Sequence, residues 1–81
     1  MSEARQMTYG EKAVGLTFNP SGDPKVNEIK VAYAKIIDLC NELRDAAIKA
    51  AQRDKAQLFS VAIIEAQTAQ MWAVKGITFQ S

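Results

Sequence analysis

The run Asp23-Pro-Lys-Val-Asn-Glu-Ile-Lys-Val-Ala-Tyr-Ala-Lys-Ile-Ile-Asp-Leu-Cys-Asn-Glu-Leu-Arg-Asp-Ala-Ala-Ile-Lys-Ala50 sets the architecture. Its first two residues announce a helix. An aspartate caps the free N–H groups of the first turn, and a proline is pre-set for the first helical position. Ile29, Ile36, Leu43 and Ala50 then recur every seven residues, with Ala32, Leu39 and Ala46 between them and Tyr33, Cys40 and Ala47 alongside. This spacing predicts a wide apolar face on a long helix. Glu28, Lys35, Glu42 and Lys49 line its flank, with Asp38 and Asp45 further round. Charges so placed read as a solvated face, and Asp45 with Lys49 forms a favourable i,i+4 pair.

Moving towards the C-terminus, there is no glycine or proline between Lys25 and Lys75. The charged cluster Arg53-Asp54-Lys55 interrupts the apolar stripe, and Asp54-Lys-Ala-Gln57 reads as a variant capping box. The expectation is an antiparallel helical hairpin with helices over 24–51 and 55–76 and a turn near Gln52 to Asp54. In the second helix, Ala62, Ala66, Ala69, Ala73 and Gly76 form a small-residue stripe. It is expected to lie against the first helix around Ala46, Ala47 and Ala50 and along the Ile29/Ile36/Leu43 face. Leu58, Phe59, Val61, Ile63, Ile64, Met71 and Trp72 then point elsewhere. One partner helix cannot cover such a surface, so the reading is an all-α hairpin that assembles as a homo-oligomer.

Residues 1–23, towards the N-terminus, hold Gly10, Gly15 and Gly22 and most of the turn chemistry. Thr8-Tyr-Gly-Glu11 fits a capping box, predicting a short helical turn from Gly10 to Val14 that the glycines limit in length. Phe18-Asn-Pro-Ser-Gly-Asp23 reads as a loop. Met1 to Met7 has no apolar core of a signal peptide. Ala56 to Val74 carries six polar residues in nineteen, too many for a membrane span.

Composition narrows the function. The chain has 81 residues, one domain's worth, with a net charge of +1, 48% hydrophobic residues, no histidine and one cysteine. Near-neutral charge argues against blanket binding of DNA or RNA. The missing histidine removes the commonest general base and metal ligand. Cys40 reads as a core residue and fits a cytosolic chain with a free thiol. No cofactor motif is present, and no constellation activates water, so the chain reads as a non-enzyme. Glu65, the one charge in Ala56 to Val74, reads as an interface partner of a basic residue on another chain. Binding chemistry concentrates in the loop. Asn19, Ser21 and Gly22 precede a helix N-terminus suited to an anion. Tyr9 and Phe18 are placed to stack on a base, and Lys12, Lys25 and Lys30 to neutralise phosphates.

Two strings carry a resemblance. Tyr9-Gly-Glu-Lys-Ala-Val-Gly-Leu-Thr-Phe-Asn-Pro-Ser-Gly-Asp23, continued by Val26-Asn-Glu-Ile-Lys30, is one; Ala69-Gln-Met-Trp-Ala-Val-Lys-Gly-Ile-Thr-Phe79 is the other. Over residues 8–80 the chain resembles the helical-hairpin sponges that phages use against bacterial cyclic-nucleotide defence (CBASS), a domain shared with some anti-Thoeris sponges. The resemblance implies a homohexamer that binds cyclic dinucleotides such as 3′,3′-cyclic GMP–AMP between protomers in the cytoplasm of the infected host. It implies sequestration without cleavage. By residue, it implies Tyr9 on a base, Lys25 on phosphate with Lys30 second, and Phe18, Asn19 and Ser21 shaping the pocket. Some members also hold cyclic trinucleotides at an arginine-dependent site; Arg44 and Arg53 here fall on the first helix and in the turn, and the second helix as bounded above has no arginine. The competing reading is a structural helical oligomerisation module without a ligand.

Overall fold

Residues 6–80 are described in the computed structural model, and the expectation for Met1 to Met7 lies largely outside them. Thr8 starts the first element. Its hydroxyl accepts from the Glu11 N–H at 3.1 Å while the Glu11 carboxylate accepts from the Thr8 N–H at 2.9 Å. This reciprocal cap opens α1, Tyr9–Val14. Gly15 ends it in the left-handed region at φ 63°, with its own N–H on the Lys12 carbonyl and the Leu16 N–H on the Glu11 carbonyl. The pair of bonds is a Schellman motif, and glycine adopts its left-handed residue without a Cβ penalty.

Helix α2 runs Pro24–Lys49, with the Asp23 carboxylate accepting from the Lys25 N–H at 2.8 Å. Helix α3 runs Arg53–Thr78. Three residues join them, so α2 and α3 are antiparallel neighbours. The turn is a second Schellman motif: Gln52 N–H reaches the Ala47 carbonyl at 2.8 Å and Ala51 N–H the Ile48 carbonyl at 3.0 Å. Here the left-handed residue is Ala51, at φ 59°. No glycine marks it, which is why the break was hard to read. The capping-box expectation at Asp54 fails. Gln52 is the N-cap and makes no side-chain cap bond, and Asp54 already lies in the first turn. Arg53 therefore belongs to the second long helix.

The face of α2 that packs within the chain also differs from expectation. Val26, Lys30, Ala34, Ile37 and Ala47 are buried, and Tyr33, Cys40 and Arg44 are half-buried. Val26, Lys30, Tyr33, Ile37, Cys40, Arg44 and Ala47 follow spacings of four and three, a heptad seam hidden by its two cations. The expected stripe lies outside: Ile36 is 51% exposed, Leu39 56% and Leu43 41%. On α3 the inward heptad is Ala56, Ile63 and Gln70, all buried, continued by half-buried Ile77. Ile63 thus faces in, with Phe59 half-buried, whereas Ala62, Ala69 and Gly76 of the small-residue stripe face out. A Cβ on Gly76 would touch nothing within 4 Å, so no backbone approaches it. Glu65 is exposed in the single chain.

The core is Val14, Ala34, Ile37 and Ile63, where all three helices meet. Its thinness has a geometric cause. The molecule measures 47 × 43 × 12 Å, one helix layer thick. Its radius of gyration, 14.7 Å, exceeds the ~12 Å of a compact chain this long. Domains ordinarily bury their apolar faces between at least two layers. In one layer the outer faces of α2 and α3 find no partner within the chain.

Candidate functional site

The loop between α1 and α2 is built by short-range polar bonds. Gly22 N–H donates to the Asn19 carbonyl at 3.1 Å, and Gly22 takes φ 69°. Asn19 Nδ2 donates to the Asp23 carbonyl at 3.0 Å, Ser21 Oγ donates to Asn19 Oδ1 at 2.7 Å, and Asp23 N–H donates to Ser21 Oγ at 3.1 Å. The side chains of Asn19 and Ser21 therefore hold the turn, and they shape a site through the backbone they fix.

Lys30 does not face phosphate as the sequence led us to expect. It is 5% exposed, and its ammonium donates to the carbonyls of Gly15, at 3.0 Å, and of Phe18. The same nitrogen sits 5.6 Å from the Phe18 ring centroid. A buried ammonium needs compensation for lost hydration. One carbonyl at the C-cap of α1, one in the loop, and an aromatic face supply it. Lys30 thus ties the loop to α2 from beneath, and Phe18 lies over it with an exposed ring.

Phe18, Asn19, Pro20, Ser21, Val26 and Lys30, with Val74 and Thr78 of α3, line a notch of about 240 Å³. Ligand pockets usually hold roughly 300–1,000 Å³. The notch is half a pocket. Lys25 is exposed at the start of α2, its Nζ 3.2 Å from the Glu28 carboxylate. Exposed pairs of this kind stabilise by only about 0.2–1 kcal/mol, so an incoming phosphate displaces Glu28 at little cost.

Tyr9 belongs to a different cluster. Gly10 packs so closely on α2 that its N–H meets Asp38 Oδ1 at 2.6 Å. This sets Tyr9 against Arg44, whose guanidinium carbon is 5.7 Å from the ring centroid. Arg44 is itself held by Asn41 at 2.8 Å and by Ser60 of α3 at 3.2 Å. Sequence reasoning missed Arg44 and Asp38 as neighbours of the tyrosine; their heptad and i,i+4 positions on α2 are the only signal, and it is a weak one. Gly10, next to Tyr9, sits on Asp38, thirteen residues along α2 from Lys25, about 20 Å at 1.5 Å per residue. Within a chain, Tyr9 and Lys25 do not meet. The six expected site residues fall into two groups: Phe18, Asn19, Ser21, Lys25 and Lys30 at one end, and Tyr9 towards the other.

The profile of the family described as Acb2/Tad1, hairpin domain, matches residues 11–78. The chain belongs to this family. Acb2/Tad1 proteins are phage sponges that sequester cyclic-nucleotide immune messengers; they bind rather than catalyse. Neither the curated proteins nor the solved structures contain a match. No helix among the described residues is long and apolar enough to cross a membrane.

Proposed function

We propose that the chain sequesters cyclic dinucleotides of the 3′,3′-cyclic GMP–AMP type by non-catalytic binding between protomers of a homohexamer in the infected host's cytoplasm, so that the CBASS effector is never activated. One observation carries the reading beyond family membership: the Tyr9 segment, anchored by Gly10 on Asp38, and Lys25 are attached to α2 thirteen residues, about 20 Å, apart in one chain. A cyclic dinucleotide carries two bases, so it calls for a second π-face, Tyr9, beyond the exposed Phe18 ring near Lys25, as well as a cation for its phosphates. Two protomers can supply them together. In this site Tyr9 stacks on a base, Lys25 leaves Glu28 for a phosphate, and the Phe18–Ser21 backbone, with Phe18, Asn19 and Ser21 themselves, closes the wall. Lys30 acts from below by holding that wall in place.

Native mass spectrometry with and without 3′,3′-cyclic GMP–AMP tests this, followed by heat release and chromatography of the ligand. A hexamer that takes up whole ligands and returns them intact is the expected result. Tyr9→Ala and Lys25→Ala should each lower affinity at least tenfold while leaving the oligomer's mass unchanged. An oligomer that ignores a panel of cyclic dinucleotides and trinucleotides refutes the sponge reading in favour of a structural module, which the large exposed aliphatic face would also serve.

A further inference from the structure

We propose that α2 pairs with α2 of a second copy, antiparallel across a two-fold axis, in a register fixed by a row of alternating charge. Two features of the outer stripe point there. Ile29, Ala32, Ile36, Leu39, Leu43 and Ala46 follow spacings of three and four, the pattern of a coiled-coil seam, with no polar residue among them. From Ala32 to Ala46 the stripe is also exposed, with Ile29 half-buried at its end: α1 packs on the Ala34 and Asp38 side, α3 covers the inner heptad, and the layer is 12 Å thick. The outer seam is more apolar than the inner one, which contains Lys30 and Arg44.

The charges choose the occupant. Glu28, Lys35 and Glu42 each precede a seam residue by one, Lys49 holds the same heptad position before the C-cap Ala50, and the four signs alternate every seven residues. Antiparallel pairing sets this row against its own copy. Glu28 then meets Lys49 of the second copy, and Lys35 meets Glu42 of the second copy; the numbers of each pair have the same sum, so one register satisfies all four pairs. Parallel pairing would instead set the row against Tyr33, Cys40 and Ala47, which carry no charge. Lys35 and Glu42 have no ion pair among the described residues, and Glu28 and Lys49 have only the exposed neighbours Lys25 and Asp45, at 3.2 and 3.3 Å. Such neighbours exchange readily. The pairing is independent of any ligand, so it stands or falls apart from the sponge reading.

Charge reversal tests it. Sedimentation at low micromolar concentration should show Lys35→Glu and Glu42→Lys each weakening association at least tenfold, because each places like charges opposite one another twice. The double variant K35E/E42K should recover the wild-type constant within about threefold, a factor that corresponds to ~0.6 kcal/mol. Single variants that associate normally, or a double variant that stays weak, overturn the proposal. Orientation is read separately on a Cys40→Ala chain. Ile29→Cys combined with Ala46→Cys should give an oxidised cross-linked dimer, and either alone should not. Two cysteines seventeen residues apart on one helix cannot join within a chain. Absence of the cross-link in a folded protein also overturns it.

Discussion

Gly10→Ala separates two accounts of one residue. If Gly10 were an ordinary helix position, alanine would stabilise by about 1 kcal/mol through propensity. The packing gives the opposite sign. A Cβ at residue 10 would lie 2.1 Å from the Ala34 carbonyl oxygen, 2.9 Å from its carbon and 2.9 Å from Asp38 Oδ1. Carbon atoms in contact sit roughly 3.5–4.0 Å apart, so α1 must retreat from α2 by about 1 Å or more. The obstacle is backbone and cannot rotate away. Retreat stretches the 2.6 Å bond from Gly10 N–H to Asp38, and hydrogen bonds to charged groups contribute about 1.5–3 kcal/mol. Overpacking and partial exposure of Val14 add roughly 1–3 kcal/mol. After the propensity gain, a net loss of about 1.5–5 kcal/mol remains. Urea unfolding of both proteins at one protomer concentration measures it, since assembly makes stability concentration-dependent. Amide exchange should show α1 opening while α2 and α3 stay protected. A Gly10→Ala protein as stable as the parent, with α1 still protected, refutes the close-packing account.

Ala51→Gly should raise stability by about 0.5–1 kcal/mol, because the strain of alanine in the left-handed region exceeds the extra chain entropy of glycine; a lower urea midpoint would count against the Schellman turn. Lys30→Met should cost about 1–3 kcal/mol by leaving the Phe18 carbonyl without its donor and the Gly15 carbonyl with only the Phe18 N–H. It should speed amide exchange selectively in residues 16–22, and uniform exchange across the chain would show that Lys30 does not fix the loop. On the sponge reading, Lys25→Ala should flatten the salt dependence of ligand affinity through the loss of a phosphate contact, whereas Lys30→Met should lower affinity with the dependence unchanged; parallel behaviour of the two variants would return Lys30 to the ligand.

Local chemistry was legible where one or two residues suffice. The Thr8/Glu11 capping box and the Asp23-Pro24 start both act through their nearest turn, and both are in place. What escaped was the choice between two seams on α2. Judged by side chains alone, the Ile29/Ile36/Leu43 stripe outranks one containing Lys30 and Arg44. The inner seam wins within the chain because each cation meets partners far away in sequence: loop carbonyls for Lys30, and Ser60 of α3 for Arg44. Periodicity cannot report such long-range satisfaction. Gly10 was misread for the same reason, as a helix breaker rather than a contact surface, because its neighbour Ala34 lies in another helix. At Ala51 the left-handed turn carries no residue that announces it.

The site follows the same division. Loop chemistry was readable from Phe18 to Asp23, yet the expectation joined Tyr9 and Lys25 without regard to the rigid helix that separates their ends. A 26-residue helix is a ruler. It anchors the tyrosine's segment on Asp38 and the lysine at the N-terminus of α2, about 20 Å apart, too far for one rotamer change to close. On the sponge reading, a ligand that touches both lies across a protomer boundary. Ligand binding and assembly then share one equilibrium: a ligand that binds only the assembled form stabilises it, by about 2.7 kcal/mol per site at a hundredfold excess over Kd. On the homo-oligomer reading, burial of the exposed aliphatic stripe of this one-layer chain drives the same assembly.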